Sequence, residues 1–251
     1  MEFEARCLDD DPRLLEQGYR LRYQVYCIER KFLRVEDYPD GREQDTFDGD
    51  SIHVGAVDTD GVVAGTARLV LPNSAGFPLF HHCTLFPDET TLDEAGNLVV
   101  EVSRVSISRH YNRRRDDPPL GQYRVSEADH GVAVAATADR RRRRAEPFAT
   151  LLKAIYHGVK QVGATHVIGA TEESLHRWLL HFGLPYRLAG PTVEYYGLVA
   201  PYIMSLAEFD EVILGRHFAA LDDFPVGLEP GVWPRLDEHN RHVARAGQGA
   251  L

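Results

Sequence analysis

A carboxylate and an arginine interrupt an apolar run near the middle of the chain. Asn97-Leu98-Val99-Val100 leads directly into Glu101-Val102-Ser103-Arg104-Val105-Ser106-Ile107-Ser108. Polar groups occur in this way in edge strands, and also in central strands that line a cleft, where a carboxyl group can transfer protons. Alternation along a strand sends Glu101 and Ser103 to one face and Arg104 to the other. Both charged residues can serve one site only if a β-bulge intervenes, and we predict one between them.

A second arginine interrupts another apolar strand. Gly65-Thr66-Ala67-Arg68-Leu69-Val70 ends a predicted hairpin over residues 52–71, whose turn is Asp58-Thr59-Asp60-Gly61. A buried arginine needs an anionic partner, because an isolated internal charge costs several kcal/mol or more. The acids available to it are Asp45, Asp48 and Glu101. Asp45 and Asp48 belong to an acidic stretch that begins at Glu43, and acidic stretches are common in surface loops.

Further candidate site residues lie on a predicted amino-terminal helix. Asp11 suits its N-cap and Pro12 its first position, and the helix is predicted to run to about Phe32. Its buried side is predicted from apolar residues at helical spacing: Leu14, Leu21, Val25 and Ile28. Arg22, Tyr26 and Phe32 lie near that side or just beyond it.

Strands and helices alternate along the chain. The other predicted strands are residues 2–8, 97–108, 165–170, 186–188 and 193–198, with the last two paired as a hairpin. The other predicted helices are residues 147–163, 172–182 and 207–218. This order predicts a three-layer α/β fold with a mixed sheet and helices on both faces. We expect one domain over residues 1–221, with an arginine-rich insertion at about 110–146, and a carboxy-terminal arm and flexible tail over 222–251.

Composition argues against several classes of protein. A formal net charge of −10 over 251 residues argues against a general nucleic-acid binder. The sequence has no apolar run long enough to span a bilayer, and its acidic amino terminus does not resemble a signal peptide. Three cysteines without framework spacing suit a reducing cytosol, so a cytoplasmic protein is expected. His81-His82-Cys83 lacks a matching second ligand pair, so no metal is predicted.

Positive charge is concentrated in two arginine runs. Lysine occurs only at Lys31, Lys153 and Lys160, so 25 of the 28 basic residues are arginine. The runs are Arg113-Arg114-Arg115 and Arg140-Arg141-Arg142-Arg143-Arg144. They suit either a solvated loop or a docking patch for a phosphorylated or acidic partner, because arginine binds phosphate and carboxylate bidentately. No aromatic residues are interleaved with them to stack on nucleic-acid bases.

The order of the polar residues resembles that of a known family. It runs Arg22-x3-Tyr26-x5-Phe32, Glu43-x-Asp45-x2-Asp48, Gly65-x2-Arg68-Leu69 and Glu101-x-Ser103-Arg104. This pattern is similar to the acyl-homoserine-lactone synthase branch of the GNAT acyltransferases. Each motif is weak alone, and the match is strong because all four occur in register over residues 22 to 104.

The carboxy-terminal half resembles two related groups. Gly190-Pro191-Thr192-Val193-Glu194-Tyr195-Tyr196-Gly197, followed by Pro201-Tyr202, is similar to the N-acyl amino acid synthases. It is also similar to the acyltransferases associated with exosortase/PEP-CTERM systems. Chains of both groups are similar in length to this one. The resemblance covers most of residues 1–215 and leaves the arginine-rich segment and the tail unmatched.

This resemblance implies a fold in which two parallel strands splay apart to admit the pantetheine arm of a thioester. The strands would be Leu98–Ser108 and Thr165–Ala170. The acyl donor in these branches is usually acyl carrier protein, a small acidic protein that both arginine runs would steer and hold. The chain lacks a clean glycine-rich pyrophosphate loop after the first of these strands, which favours the carrier protein over acyl-CoA. No tightly bound cofactor is implied.

The implied reaction is attack of an amine on the thioester, for which a base must remove the amine proton. Glu101 is the first candidate for that base, and Asp48 and Glu43 are its rivals. Backbone N–H groups of the strand 101–106 would hold the oxyanion. Arg68 and Arg104 would pair with Glu101, Asp45 and Asp48. Arg22 would bind the acceptor carboxylate or join the same network. Tyr26, Phe32 and Trp178 would line the acyl tunnel. Ordinary core packing explains each of these aromatics equally well.

Three functions remain open. The first is transfer of a long-chain acyl group from acyl carrier protein to an amino acid. The second is lactone synthesis from S-adenosylmethionine, and the third is a GNAT-like domain that binds acyl carrier protein or a lipid without turnover. Length and the Glu194–Gly197 region favour the first over the second. Retention of all the polar positions argues against the third.

Overall fold

The structure, a computed structural model, describes residues 2–92, 94–112, 134–215 and 221–234, with backbone alone for 112 and 134–145. One mixed sheet organises these residues. Its strands are β1 (Phe3–Cys7), β2 (Ser51–Asp58), β3 (Val63–Val70), β4 (Val99–Ile107), β5 (His166–Thr171), β6 (Arg187–Leu188), β7 (Val193–Glu194) and β8 (Leu198–Ser205). The spatial order is β1-β2-β3-β4-β5-β8-β6, with β7 also on β8. Every pair is antiparallel except β4 with β5.

Helices cover both faces of the sheet. They are α1 (Pro12–Tyr23), α2 (Arg109–Asn112), α3 (Val134–Gln161), α4 (Glu173–His181) and α5 (Leu206–Leu214). α3 packs on β1, β2 and β3, and buries the main core with α5 and residues 221–232. α1 packs on β3 and β4 from the opposite side. The predicted three-layer α/β fold with a mixed sheet is confirmed. No helix in the described parts of the chain is long and apolar enough to cross a membrane.

The amino-terminal helix begins as predicted and ends earlier. The Asp11 side chain caps α1 by accepting the backbone N–H of Arg13 (2.8 Å), and Pro12 is the first helical residue. After Tyr23 the chain continues as a π-helix over Gln24–Glu29. A π-turn takes more residues per turn than an α-turn, so it rotates the positions that follow it. Ile28, predicted to be buried, is therefore 42% exposed.

The predicted hairpin between residues 186–188 and 193–198 is wrong. β6 and β7 do not pair with each other, and each pairs with β8. The reason is that residues 198–205 form one long strand through Pro201, which faces Ala170 in the β5–β8 ladder. The Pro201 carbonyl also accepts the backbone N–H of Ala189 (2.9 Å). An apolar strand of eight residues thus receives both short strands along its length.

β4 departs from a regular strand at two points. Its pairing with β5 stops at Glu101, which faces Ile168, although both strands continue beyond this pair. Gly169 follows at the fork, where a side chain would lie 2.9 Å from the Val102 carbonyl oxygen. Beyond the fork, residues 102–105 of β4 and 169–171 of β5 become partly exposed. The two central strands therefore open a cleft in the sheet.

Candidate active site

The second departure of β4 confirms the predicted bulge. Arg68 of β3 faces Ser103, while Thr66 faces Ser106, so β4 carries one extra residue between these pairs. Arg104 takes it up with a left-handed backbone (φ +53°), a conformation that costs an ordinary residue about 1–2 kcal/mol. The bulge lies after Ser103 and includes Arg104 itself. It brings the Arg104 side chain to the face of the sheet that Arg68 and Ser103 occupy.

Three arginines and three carboxylates form a closed ring on this face. Arg22 donates from Nε to Glu43 (2.5 Å) and from both terminal nitrogens to Asp48 (2.6 and 3.1 Å). Arg104 donates to Glu43 and to Asp45, each at 3.0 Å. Arg68 closes the ring.

Arg68 reaches three partners from the neighbouring strand. Its Nη1 donates to Asp45 (2.5 Å) and lies 3.3 Å from Asp48, while its Nε donates to the Ser103 hydroxyl (3.1 Å). Each of the three carboxylates therefore bridges two arginines. α1, the loop of residues 34–51, β3 and β4 are tied together in this way, and the acidic stretch does fold over the sheet.

Burial makes these charges depend on one another. Arg22, Glu43 and Arg68 are at most 1% exposed. Burial alone would raise the pKa of Asp48, but hydrogen bonds from His53 and Arg22 outweigh it and hold that pKa far below its usual range. A carboxylate held ionised in this way is a weak proton acceptor, so Asp48 is less suited than Glu101 to act as the base.

Glu101 lies outside the ring. Its carboxylate accepts the backbone N–H of Leu79 (2.9 Å), and no ion pair to it is found among the described residues. The predicted pairing of Glu101 with Arg68 and Arg104 is therefore wrong, because Glu43, Asp45 and Asp48 are the carboxylates that bind these two guanidinium groups. Burial raises the pKa of Glu101 to about 7, against the opposing effects of the Leu79 N–H and the two arginines. A carboxyl group at the fork of β4 and β5 thus titrates near neutral pH.

One nitrogen of Arg68 has no hydrogen-bond partner among the described residues. Nη2 is buried without a hydrogen bond to any of the described residues. A buried donor in this state carries a desolvation penalty of about 1–3 kcal/mol until something accepts from it. The guanidinium that binds Ser103 therefore keeps one donor for a ligand or a water molecule.

Aromatic rings from three segments meet beside Arg104. Its guanidinium lies 5.4 Å from the Tyr26 ring centre, and Tyr26 Oη donates to the Val105 carbonyl (3.4 Å). Phe32 stacks on Tyr196 (5.1 Å between ring centres), and Tyr195 stacks on His82 (3.7 Å). Tyr26 and Phe32 thus lie at the border of the site. Their role in lining an acyl tunnel stays a prediction.

The sequence did not single out His53, Asp9 or His82 as site residues, and it assigned Tyr195 and Tyr196 only to a family motif. A signal for His53 existed, because a histidine interrupts the apolar strand Ile52–Val57 as Arg68 interrupts the next strand. The left-handed backbone of Tyr196 (φ +55°) before Gly197 also marks a tight turn.

Trp178 is not brought to the other two predicted tunnel residues. It packs on Phe148 and Phe182 at ring distances of 4.8 and 3.9 Å, against the main core. Its role in an acyl tunnel remains a prediction. Arg113–Arg115 lie outside the described residues, and residues 140–144 fall in α3 without described side chains. Within the described residues no group of three or more acidic, histidine or cysteine side chains could hold a metal ion.

Comparison with known proteins defines the class of fold. Residues 21–118 match the family described as "Acetyltransferase (GNAT) domain". The matched residues include β2, β3 and β4, and the fork between β4 and β5 is the feature that the resemblance implied. The protein has a mixed α/β GNAT-like fold.

Particular solved structures share this fold. TofI, in a ternary complex with an inhibitor and MTA, is 21% identical, covers 92% of this chain and 100% of its own, and has a TM-score of 0.54. BjaI, a CoA-dependent acyl-homoserine lactone synthase with SAM and isopentyl-CoA, is 20% identical over 98% of this chain and 99% of its own (TM-score 0.53). FeeM, an N-acyl amino acid synthase from uncultured soil microbes, is 12% identical over 84% and 94% (TM-score 0.50). At these identities the likeness establishes the fold.

Proposed function

We propose that this protein is an N-acyltransferase that moves a long-chain fatty acyl group from acyl carrier protein or acyl-CoA to an amine. The acceptor is an amino acid or a related small molecule. The observation that carries the proposal is the position of Glu101, a buried carboxyl group with a pKa of about 7 at the fork of β4 and β5. Perturbed carboxyl groups in clefts are characteristic of catalytic acids and bases.

Glu101 acts as the general base. An amine is mostly protonated near pH 7, so its proton must pass to Glu101, directly or through water, before it can attack. The amine nitrogen then bonds to the thioester carbonyl carbon, and the carbonyl oxygen becomes an oxyanion. The nitrogen of this intermediate carries two hydrogens and a positive charge. When the intermediate collapses, the carbon–sulfur bond breaks, and the leaving thiolate takes up the proton that the nitrogen loses. Glu101 then releases its own proton to solvent.

The bulge in β4 supports stabilisation of the oxyanion. Backbone N–H groups of β4 beyond the fork are no longer paired to β5, and the left-handed turn at Arg104 redirects the backbone there. Donors of this kind can hold an oxyanion. In other enzymes, removal of one such donor raises the activation free energy by about 3–4 kcal/mol. Arg104 stays charged, because Glu43 and Asp45 outweigh its burial and raise its pKa.

The charged ring shapes the acceptor pocket. Arg22 joins the ring fully, so of its two predicted roles we propose this one. The unpartnered Nη2 of Arg68 is the donor best placed to hold an oxygen of the acceptor. Tyr26, Phe32, Tyr195 and Tyr196 border the same region and would limit the size of the acceptor.

Two acyl donors fit the proposed reaction. A likeness to a CoA-dependent synthase supports acyl-CoA, whereas the arginine runs supported acyl carrier protein at the level of sequence. Both donors present the same pantetheine thioester. Docking by Arg113–Arg115 and Arg140–Arg144 and any link to exosortase systems stay predictions.

One assay tests the function. The purified protein is incubated with mixed acyl carrier protein and acyl-CoA thioesters, an amino acid pool and S-adenosylmethionine, and products are identified by mass spectrometry. We expect an N-acyl amino acid. A lactone would instead support the second candidate, which the likeness to BjaI favours. The absence of any product would leave a binding domain without turnover.

A further inference from the structure

A buried histidine connects the charged ring to the surface. His53 lies on β2, faces Arg68 in the β2–β3 ladder and is 3% exposed. Its Nε2 lies 2.9 Å from Asp48 Oδ1 and its Nδ1 lies 2.8 Å from Asp9 Oδ1. Asp9 also accepts the backbone N–H of His53 (2.8 Å), and its side chain is 35% exposed. The imidazole therefore stands between a ring carboxylate and a carboxylate that meets solvent.

These contacts determine the protonation of His53. An ionised carboxylate can only accept hydrogen bonds, so a ring nitrogen that contacts one must carry a proton. Asp48 is ionised, because it also accepts from Arg22 and lies beside Arg68. Asp9 accepts a backbone N–H as well as the ring. With both carboxylates ionised, both nitrogens of His53 donate, and the ring is then an imidazolium.

The charges then balance. The ring of three arginines and three carboxylates is neutral, and His53 and Asp9 add one positive and one negative charge. Loss of the His53 proton would leave Asp9 or Asp48 without its donor and the assembly with one excess negative charge. Glu101 would then lose its proton less readily.

We propose that His53 is a positioning residue that, as an imidazolium, fixes the Asp48 carboxylate through which Arg22 and Arg68 are oriented. The inference rests on the proposed acyl transfer. His53 touches neither substrate nor reacting atoms, and it acts through Asp48. Asp48 in turn accepts the backbone N–H of Asp45 (2.7 Å). A fixed Asp48 therefore also orders the loop that carries two ring carboxylates.

Every element packed on His53 presents charged or titratable groups. α1 contributes Arg22 and Tyr19, whose ring stands edge-on to the imidazole at 5.3 Å between centres. β3 contributes Arg68, the segment after β1 contributes Asp9, and the turn before β2 contributes Asp48. Burial alone would lower the pKa of His53, but the hydrogen bonds to Asp48 and Asp9 outweigh it and raise the pKa.

The expected pH profile has two limbs. Activity rises with pH as Glu101 loses its proton near pH 7, and it falls at higher pH as His53 loses its own. Deprotonation of the acceptor amine cannot cause the fall, because the free amine is the nucleophile. An alkaline limb that disappears in His53→Gln is therefore the signature of His53.

The experiment measures kcat and KM from pH 5 to 10 for the wild type, His53→Gln, Asp9→Asn and the control His157→Gln. His157 is a partly buried histidine on α3 that contacts the Phe224 carbonyl (2.7 Å), far from the ring. We expect His53→Gln to lower kcat about 10- to 100-fold, as misplaced site groups do, and to abolish the alkaline limb. Asp9→Asn should move that limb to lower pH, and His157→Gln should leave the profile unchanged.

A second readout needs no substrate. Nitrogen-15 NMR of the wild type should show both ring nitrogens of His53 protonated at pH 7, and Asp9→Asn should lower the titration midpoint. A singly protonated ring, or an alkaline limb that survives His53→Gln, would overturn the inference. A wild type without acyl transfer but with a doubly protonated ring would refute the proposed function while the imidazolium stands.

Discussion

Carboxyl groups on one face of the sheet have opposite chemistry because their neighbours differ. Asp48 accepts from Arg22 and His53, so it is held ionised. Glu101 accepts a single backbone N–H, from Leu79, and is buried, so burial raises its pKa to about 7. Pairs of acids whose surroundings separate their pKa values supply both a fixed charge and a proton acceptor.

Replacing Glu101 with glutamine should separate activity from stability. Glutamine can still accept the Leu79 N–H but cannot take a proton, so we expect kcat/KM to fall about 100-fold or more. The folded pKa of Glu101 is raised from 4.5 to about 7, so its ionisation destabilises the fold increasingly as pH rises through this range. Glu101→Gln should therefore stabilise the protein at pH 8 and not at pH 4, by about 3 kcal/mol at most.

Urea unfolding at both pH values and steady-state kinetics measure the two effects. Glu173→Gln is the control, because Glu173 pairs with Arg177 at the exposed surface of α4 and its replacement should change neither quantity. Full acyl transfer by Glu101→Gln would remove Glu101 as the base.

Most members of the ring could be predicted from the sequence, but Glu101 was wrongly included and Glu43 was predicted only as a rival base. The connections between the members could not be predicted. Arginines within apolar strands require acids, and the loop of residues 34–51 was the nearest supply. Which acid reaches which arginine depends on the path of that loop and on the side to which the bulge turns Arg104. This is why Glu101 was wrongly paired. Asp9 was missed because an exposed acid after a strand has no distinguishing pattern.

At the scale of the element, the bulge changes which residues of β4 face the main core. Val100 and Val102 pack toward it before the bulge, and Val105 and Ile107 after it. A regular strand would have sent Val105 to the face of Glu101. The inserted residue therefore lets Val105 and Ile107 pack on the main core while Arg104 joins the charged ring.

The left-handed backbone at Arg104 gives a test of the bulge in solution. Glycine adopts this conformation freely and alanine does not, so Arg104→Gly should be more stable than Arg104→Ala by about 1 kcal/mol. Both variants lose the contacts to Glu43 and Asp45, so both should lose most of their activity. Urea unfolding of the two variants, compared with each other, isolates the backbone term.

Val102 supplies the matched control on the same strand. It lies in the regular part of β4, where it faces Leu69 in the ladder. There glycine weakens a strand, so Val102→Gly should be less stable than Val102→Ala. The same order at position 104 would show that the bulge is not left-handed.

The bulge was predictable because Glu101 and Arg104 were assigned to one site, although a regular strand sends residues three apart to opposite faces. The π-turn after Tyr23 and the pairing of β6 and β7 were not, because neither has a local signature. The long strand β8 competes with a hairpin that looks equally good in sequence, and only its ladder with β5 decides between them. Long-range pairing thus overrides local pattern there.

At the scale of the whole molecule, the hydrophobic core and the charged ring occupy opposite faces of the sheet. α3, α5 and residues 221–232 bury the first, and α1 with residues 34–51 encloses the second. The fold class followed from the alternation of elements, because helices on both faces are needed to cover a mixed sheet.

Breaking the ring at one member should destabilise the whole domain. Arg22→Met leaves Glu43 and Asp48 buried without their main donor, and loss of one partner of a buried pair costs about 3–5 kcal/mol. For a domain of this size we expect the melting temperature to fall by roughly 10 °C. Arg177→Met, which breaks an exposed pair, should leave the melting temperature nearly unchanged.

A double-mutant cycle determines whether the ring acts as a unit. Asp48→Asn alone should also destabilise the protein, because it leaves Arg22, Arg68 and His53 without a full partner. Once Arg22 is gone, however, the remaining charge on Asp48 is less well compensated, so removing it should cost much less. We therefore expect the loss in the free energy of unfolding for Arg22→Met with Asp48→Asn to fall well short of the sum of the single losses. The measurement is urea unfolding of all four proteins at one pH. Additive losses would mean that Arg22 and Asp48 contribute to stability independently and that the ring does not act as a unit.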